Sequence, residues 1–129
     1  MLKGAFAVCR LPQGSPIPEW SLREGFFSIT RTVDELSVVC LEVNVPADER
    51  AERGWSCLQL QGPFPFAMSG VLAAFLKPLA NAEIGIFAIS TFDTDYVLVK
   101  ANRLKAAIST LERAGHIQSL ELPPPTSLP

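Results

Sequence analysis

The second half of the chain has the clearest pattern of apolar and polar positions. Apolar residues recur at helical spacing in two segments, and elsewhere they form short runs that are typical of strands. In chain order we predict a strand, a helix, two strands, a helix and a strand, over residues 55–60, 68–79, 84–89, 96–99, 103–114 and 117–122. This β-α-β-β-α-β order predicts a ferredoxin-like α+β fold, with both helices on one face of an antiparallel sheet.

Residues that break regular structure set the boundaries of these elements. Pro78 lacks an N–H and is expected to end or kink the first helix. Asn102 is a suitable N-cap for the second helix, and Gly115 suits the left-handed position just past its end. A polar turn over residues 90–95 is expected to join the two central strands.

The first half is predicted to be a shortened copy of the second. Residues 25–30 align with residues 85–90 at an offset of 60 positions, which also pairs Glu35 with Asp95. Such internal similarity is typical of repeated structural units. We therefore expect two related units, each built around a pair of strands.

The remaining elements of the first half are expected to be short. A strand is predicted over residues 5–11, and the three prolines among residues 12–18 leave room only for a helical turn. Residues 46–53 are predicted to form a short helix opened by Pro46 or Asp48. The predicted organisation is an abbreviated unit, a complete unit and a proline-rich tail, over residues 1–54, 55–122 and 123–129.

Composition and charge exclude several classes of protein. Of the 129 residues, 48% are hydrophobic and 19% are charged, so the chain can bury a core and is not predicted to be disordered. The formal net charge is −2, and no basic stripe is present, which argues against nucleic acid or anionic lipid as a partner. No apolar run approaches the roughly 18 residues that span a bilayer.

The three cysteines point to a reducing compartment. Cys9, Cys40 and Cys57 are an odd number and have apolar neighbours, so we predict buried free thiols in a cytoplasmic protein. Together with His116, the only histidine, they lack the short ligand spacings of a zinc site. No metal site and no cofactor is predicted.

The sequence Asp93-Thr94-Asp95 after an apolar strand matches a D-x-D pattern of magnesium-dependent phosphatases, with Asp93 as the nucleophile. That chemistry needs a large doubly wound domain with further residues downstream, and only 34 residues follow Asp95. A phosphatase therefore stays a remote alternative. The other interpretation is a turn between two strands whose aspartates cap backbone amides.

The same turn also suits a small zwitterionic ligand. The first amides of the helix that begins near Ser69 can receive a carboxylate. Asp95 is then available to a cation, and the turn aromatics Phe64 and Phe92 can form the walls of a pocket. A carboxylate at one end and a cation at the other describe a free amino acid.

The segments QGPFPF, SGVLA and IFAISTFDTDYVLV resemble the second unit of small bacterial tandem ACT-domain proteins. These proteins are related to the ACT modules of the animal cytosolic arginine sensors of the TOR pathway. The resemblance is strong over residues 55–116. The first half, through FFSITRTVDELSVVC and GWSCLQLQG, resembles the abbreviated first unit of the family.

This resemblance implies a non-catalytic regulatory module that binds an amino acid at the interface of two ACT units. It also implies a homo-oligomer, because ACT units commonly pair edge to edge. Where the sensors have an acid before the Ser-Gly pair, this chain has Met68, which favours a less basic or more apolar amino acid. The ligand-binding residues expected from the residues and the resemblance together are Phe64, Pro65, Met68, Ser69, Gly70, Val71, Thr91, Phe92 and Asp95.

Two further functions stay open beside amino-acid sensing. In the first, the chain is an interaction or assembly protein, and its own side chains fill the pocket. The second is the magnesium-dependent phosphatase that uses Asp93 and Asp95.

Overall fold

A computed structural model describes residues 1–60 and 70–116. The chain divides into two compact units, one formed by residues 4–55 and the other by residues 1–3 together with those from Ser56 onward. The strands are β1 (Phe6–Pro12), β2 (Ser28–Arg31), β3 (Glu35–Leu41), β4 (Ala51–Gln59), β5 (Ile86–Ser90) and β6 (Asp95–Lys100). The helices are α1 (Val71–Asn81) and α2 (Leu104–Arg113), with 3₁₀ turns at Glu19–Leu22, Glu42–Asn44 and Ala101–Arg103.

In the C-terminal unit the strands lie in the order β4-β6-β5, and both helices cover one face. Val97 and Val99 are two residues apart on β6, so they point to the same face of the sheet. Both are fully buried in one cluster with residues of α1 and α2. The antiparallel strands and the single helical layer confirm the predicted α+β class. The buried cluster consists of Leu58, Leu60, Phe75, Leu79, Ile84, Val97, Val99, Ala107 and Leu111.

In the N-terminal unit the strand order is β2-β3-β1-β4, and each of the three neighbouring pairs is antiparallel. The 3₁₀ turn Glu19–Leu22 stands between β1 and β2, where the C-terminal unit has the helix α1 between β4 and β5. This agrees with the expectation that prolines leave room only for a helical turn. The core of this unit consists of Ala7, Cys9, Leu11, Leu36, Val38, Cys40 and Val45.

One local prediction was wrong, and one of the two effects expected of Pro78 is excluded. Residues 46–53 do not form a helix, because β4 begins at Ala51 and its first part pairs with β1. Before it, the amide of Glu49 donates to the carbonyl of Pro46 at 3.1 Å and closes a turn. Pro78 was expected to end or kink helix α1; it does not end the helix, which continues to Asn81. A proline removes only one amide donor, and α1 is also held by its packing against the core.

The three cysteines are free and buried, as the sequence predicts. Burial raises the pKa of the Cys57 thiol to about 12. Cys9 and Cys40 share a hydrogen bond, which raises the pKa of Cys9 and lowers the pKa of Cys40; burial adds to the increase at Cys9. A thiol whose pKa is raised is a poor nucleophile at neutral pH, which fits a structural role for Cys9 and Cys57.

The hairpins β2–β3 and β5–β6 correspond at an offset of 59 positions, not 60. Arg31 pairs with Leu36 in the first hairpin, and Ser90 pairs with Asp95 in the second. The 3₁₀ turns that follow the two hairpins, Glu42–Asn44 and Ala101–Arg103, have the same offset. Asp95 therefore corresponds to Leu36 rather than to Glu35, so only the second hairpin has an acid at this position.

Candidate functional site

The turn between β5 and β6 is fixed by two threonines. The amide of Thr91 donates to the carbonyl of Thr94 at 2.8 Å, and the Thr91 hydroxyl donates to the same carbonyl at 3.0 Å. Thr94 is buried, and its hydroxyl donates to the carbonyl of Leu60 at 2.8 Å. The turn is therefore capped by Thr91 rather than by Asp93, which is exposed. The described hydrogen bonds that close this turn therefore come from Thr91, where the sequence interpretation had placed the aspartates.

Asp95 is the first residue of β6 and is held from two sides. Its backbone carbonyl accepts from the amide of Leu60 at 3.0 Å, beyond the end of β4. On the other side it lies opposite Ser90, the last residue of β5. The hydroxyl of Ser90 donates to Oδ1 of the Asp95 side chain. Asp95 as a residue is half-buried, its hydrogen bond with Ser90 is exposed, and both residues lie at the turn end of the β5–β6 pair.

Alternation along β6 places Asp95 on the same face as Val97 and Val99, which is the face that the helices cover. Helix α1 ends next to Ile84, near the start of β5. Since helix α1 packs along this sheet, its first turn is directed toward the other end of β5, where Asp95 lies opposite Ser90. The topology thus brings the helix start and the acid to one end of the C-terminal unit.

Gly70 and Val71 form the described part of the predicted helix start. Gly70 stands at the N-cap position with φ 85°, a left-handed conformation that glycine adopts without strain. Its carbonyl accepts from the amide of Ala74 at 2.8 Å and opens the helix. The segment 61–69 lies outside the described residues, and with it four of the predicted site residues: Phe64, Pro65, Met68 and Ser69.

The remaining predicted residues of the turn differ in exposure. Phe92 is 78% exposed at its tip, and Thr91 is exposed beside it. Sequence reasoning missed two polar residues of this end, Ser90 and Thr94. Thr94 lies between the two aspartates of the recognised pattern and Ser90 lies three residues before it, but their partners follow only from the strand register. The roles of Ser90 and Thr94 could therefore not be predicted from residue types alone.

Within residues 1–60 and 70–116, no three histidine, cysteine, aspartate or glutamate side chains come together to hold a metal ion. Over the same residues, no helix is long and apolar enough to cross a membrane.

Within the described residues the C-terminal unit has the element order β-α-β-β-α, which fits a ferredoxin-like fold, and comparison with known proteins identifies the family. A family model described as the ACT domain matches residues 50–113, and a model of an N-terminal domain matches residues 4–48. A crystal structure of a protein from Agobacterium tumefaciens is 46% identical, with a TM-score of 0.82, over 87% of this chain and 84% of that chain. The chain belongs to the ACT-domain family, which confirms the resemblance of its sequence.

Curated relatives include animal amino-acid sensors. The mouse protein named cytosolic arginine sensor for mTORC1 subunit 1 is 28% identical over 119 residues, covering 87% of this chain. Human CASTOR3P is 29% identical over 99 residues, covering 67% of this chain. The chain spans 34% of the mouse sensor and 61% of CASTOR3P.

A more distant structure supports the fold alone. The aspartate kinase of Clostridium acetobutylicum is 13% identical, with a TM-score of 0.65, over 87% of this chain and 33% of the kinase. That kinase is an allosteric enzyme, a property of the kinase that does not transfer to this chain through a likeness of fold.

Proposed function

We propose that this protein is a non-catalytic regulatory module that binds a free amino acid, with Asp95 receiving its ammonium group. The observation that carries the proposal is the carboxylate of Asp95, a half-buried residue at the end of the unit toward which the first turn of helix α1 is directed. The first amides of a helix suit a carboxylate, and Asp95 suits a cation. The two ends of one amino acid match this pair of charges.

The relatives support the same chemistry. ACT domains are regulatory modules, and the mouse relative is named an arginine sensor. Arginine is not the ligand that we expect here, because the resemblance of the sequence places Met68 where the sensors have an acid. We propose a less basic or more apolar amino acid. The interface of two ACT units, the homo-oligomer and the cytoplasmic location stay predictions from the sequence.

A thermal-shift screen of the full chain against each of the twenty L-amino acids tests the proposal. A ligand present at 100 times its Kd stabilises the native state by about 2.7 kcal/mol, which is easily seen as a raised Tm. If no amino acid raises the Tm at millimolar concentration, the proposed function is wrong.

The variants Asp95→Asn and Asp93→Asn locate the ammonium group. Loss of the charge at Asp95 should weaken binding of the best amino acid by about 1.5–3 kcal/mol, the contribution of a hydrogen bond to a charged group. Asp93→Asn is the matched control, since Asp93 is exposed beside the same turn, and it should bind as tightly as the wild type. Unchanged affinity in Asp95→Asn would remove Asp95 from the site.

A ligand-free assembly protein is the second candidate, and one observation favours it. The tips of the two hairpin turns carry exposed apolar side chains, Val33 at 79% and Phe92 at 78%. Of the two, Phe92 is of a residue type that is enriched in protein–protein interfaces. This alternative predicts no amino-acid response and a change of oligomeric state in Phe92→Ser, measured by sedimentation.

A further inference from the structure

The register of the two hairpins singles out Ser90. It is the residue directly opposite Asp95, while its counterpart 59 positions earlier, Arg31, lies opposite Leu36. The two hairpins therefore offer the same backbone frame with different chemistry at the same two positions. One pair is a hydroxyl and a carboxylate, and the other is a guanidinium and a leucine.

The backbone explains why the Ser90 and Asp95 side chains meet. The bond from the Thr91 amide closes the turn on one side, and the carbonyl of Asp95 is directed to Leu60 instead of to β5. Ser90 and Asp95 thus have the geometry of a non-hydrogen-bonded antiparallel pair, in which facing side chains come closest. In that position the Ser90 hydroxyl donates to Oδ1 of Asp95.

We propose that Ser90 is a positioning residue of the amino-acid site, and that each chain binds one ligand, at the C-terminal hairpin. The proposal rests on the proposed function, because Ser90 acts only through the carboxylate of Asp95. A carboxylate held at Oδ1 keeps one orientation and presents Oδ2 to the ligand. Without the hydroxyl, ligand binding has to include the entropic cost of ordering that side chain.

The N-terminal hairpin cannot form the same pair. Leu36 is fully buried in the core of its unit, so no acid stands at this position. The guanidinium of Arg31 instead donates to the carbonyl of Ser15 at 2.8 Å. A cation at this position would repel an ammonium group. The acidic neighbour Glu35 forms an ion pair with Arg10 at 3.1 Å.

The experiment is calorimetric titration of the full chain with whichever of the twenty L-amino acids raises its Tm most. We expect one site per chain in the wild type. Ser90→Ala should weaken binding about three- to tenfold, which corresponds to one net hydrogen bond. Ser90→Thr keeps the hydroxyl and should bind within about twofold of the wild type. Arg31→Ala, at the same register position of the other hairpin, should leave affinity and stoichiometry unchanged.

Apo stability separates positioning from a merely structural role. The Tm of the ligand-free protein should be the same in Ser90→Ala, Ser90→Thr and the wild type, because the hydrogen bond is exposed. If Asp95→Asn loses affinity while Ser90→Ala does not, this inference is overturned and the proposed function stands. Two sites per chain, or a response to Arg31→Ala, would also overturn it. If no amino acid binds the wild type, both fail together.

Discussion

The hairpins β2–β3 and β5–β6 share a backbone plan and differ in chemistry. In each, a threonine amide closes the turn on a carbonyl three residues later, at 2.9 Å from Thr32 and 2.8 Å from Thr91. Each turn has an exposed apolar residue at its tip. At the start of the second strand, however, the first hairpin has a buried leucine and the second has a half-buried aspartate.

The difference shows that the same position near the start of a strand can hold either a core residue or a residue that is available to a ligand. Leu36 lies on the same face as Val38 and Cys40, and all three are in the core of the N-terminal unit. Asp95 precedes Val97 and Val99 on β6 just as Leu36 precedes Val38 and Cys40 on β3. At this position, however, Asp95 has a carboxylate instead of an apolar side chain. An aspartate at this position loses the stabilisation that a buried leucine would give, but it supplies a charged group at the edge of the core. Such a loss of stability is common at functional sites.

The largest expected effect is on the stability of the first hairpin. Leu36→Ala should lower the free energy of unfolding by about 2–5 kcal/mol, because it removes a fully buried side chain and leaves a cavity. Asp95→Ala, at the corresponding position, should cost less than about 1 kcal/mol in the ligand-free protein. Chemical denaturation of both variants measures the two values. Equal losses in the two variants would mean that Leu36 and Asp95 contribute equally to the stability of the fold, which would contradict the comparison.

A smaller effect is expected from the threonine that ties the second turn to β4. Thr94→Val should cost about 1–3 kcal/mol, because it removes a buried hydroxyl that donates to the carbonyl of Leu60. The control is Thr32→Val in the first turn. The exposed hydroxyl of Thr32 accepts from the amides of Asp34 and Glu35 at 3.1 Å, and its loss should cost about 0.5–1 kcal/mol. If Thr32→Val lowers the free energy of unfolding more than Thr94→Val does, the expectation that the buried hydroxyl of Thr94 contributes more is wrong.

The smallest effect is expected at the ion pair beside the first turn. Arg10 and Glu35 have side chains that are 44% and 37% exposed, so solvent and salt screen their attraction. Glu35→Gln should change the free energy of unfolding by less than about 0.5 kcal/mol. A loss above about 1 kcal/mol at low salt, absent at high salt, would show that this turn depends on its charges.

Much of the C-terminal unit was predictable because its periodicities are strong. Helix α2 was expected over residues 103–114 and runs over Leu104–Arg113, and the turn before β6 was expected at residues 90–95. The strand β4 was predicted too short, since its first part is polar. That part is held in the strand by pairing with β1, a tertiary contact that residue types do not record.

The sequence repeat shows why the site was only partly predictable. Matching residue types favoured an offset of 60, which paired Asp95 with Glu35 and suggested acids in both hairpins. The strand register gives an offset of 59 and pairs Asp95 with Leu36. A shift of one residue along a strand changes the face of every side chain, so similarity of residue types is a weak guide to which positions correspond.

The amino acid is expected to bind at the second hairpin and not at the first. Backbone amide chemical shifts, followed by two-dimensional NMR while the best-binding amino acid is added, test it most directly. We expect saturable shifts at Gly70, Val71 and residues 90–95, with none at residues 31–36. Saturable shifts at residues 31–36, or shifts that leave residues 90–95 untouched, would contradict it.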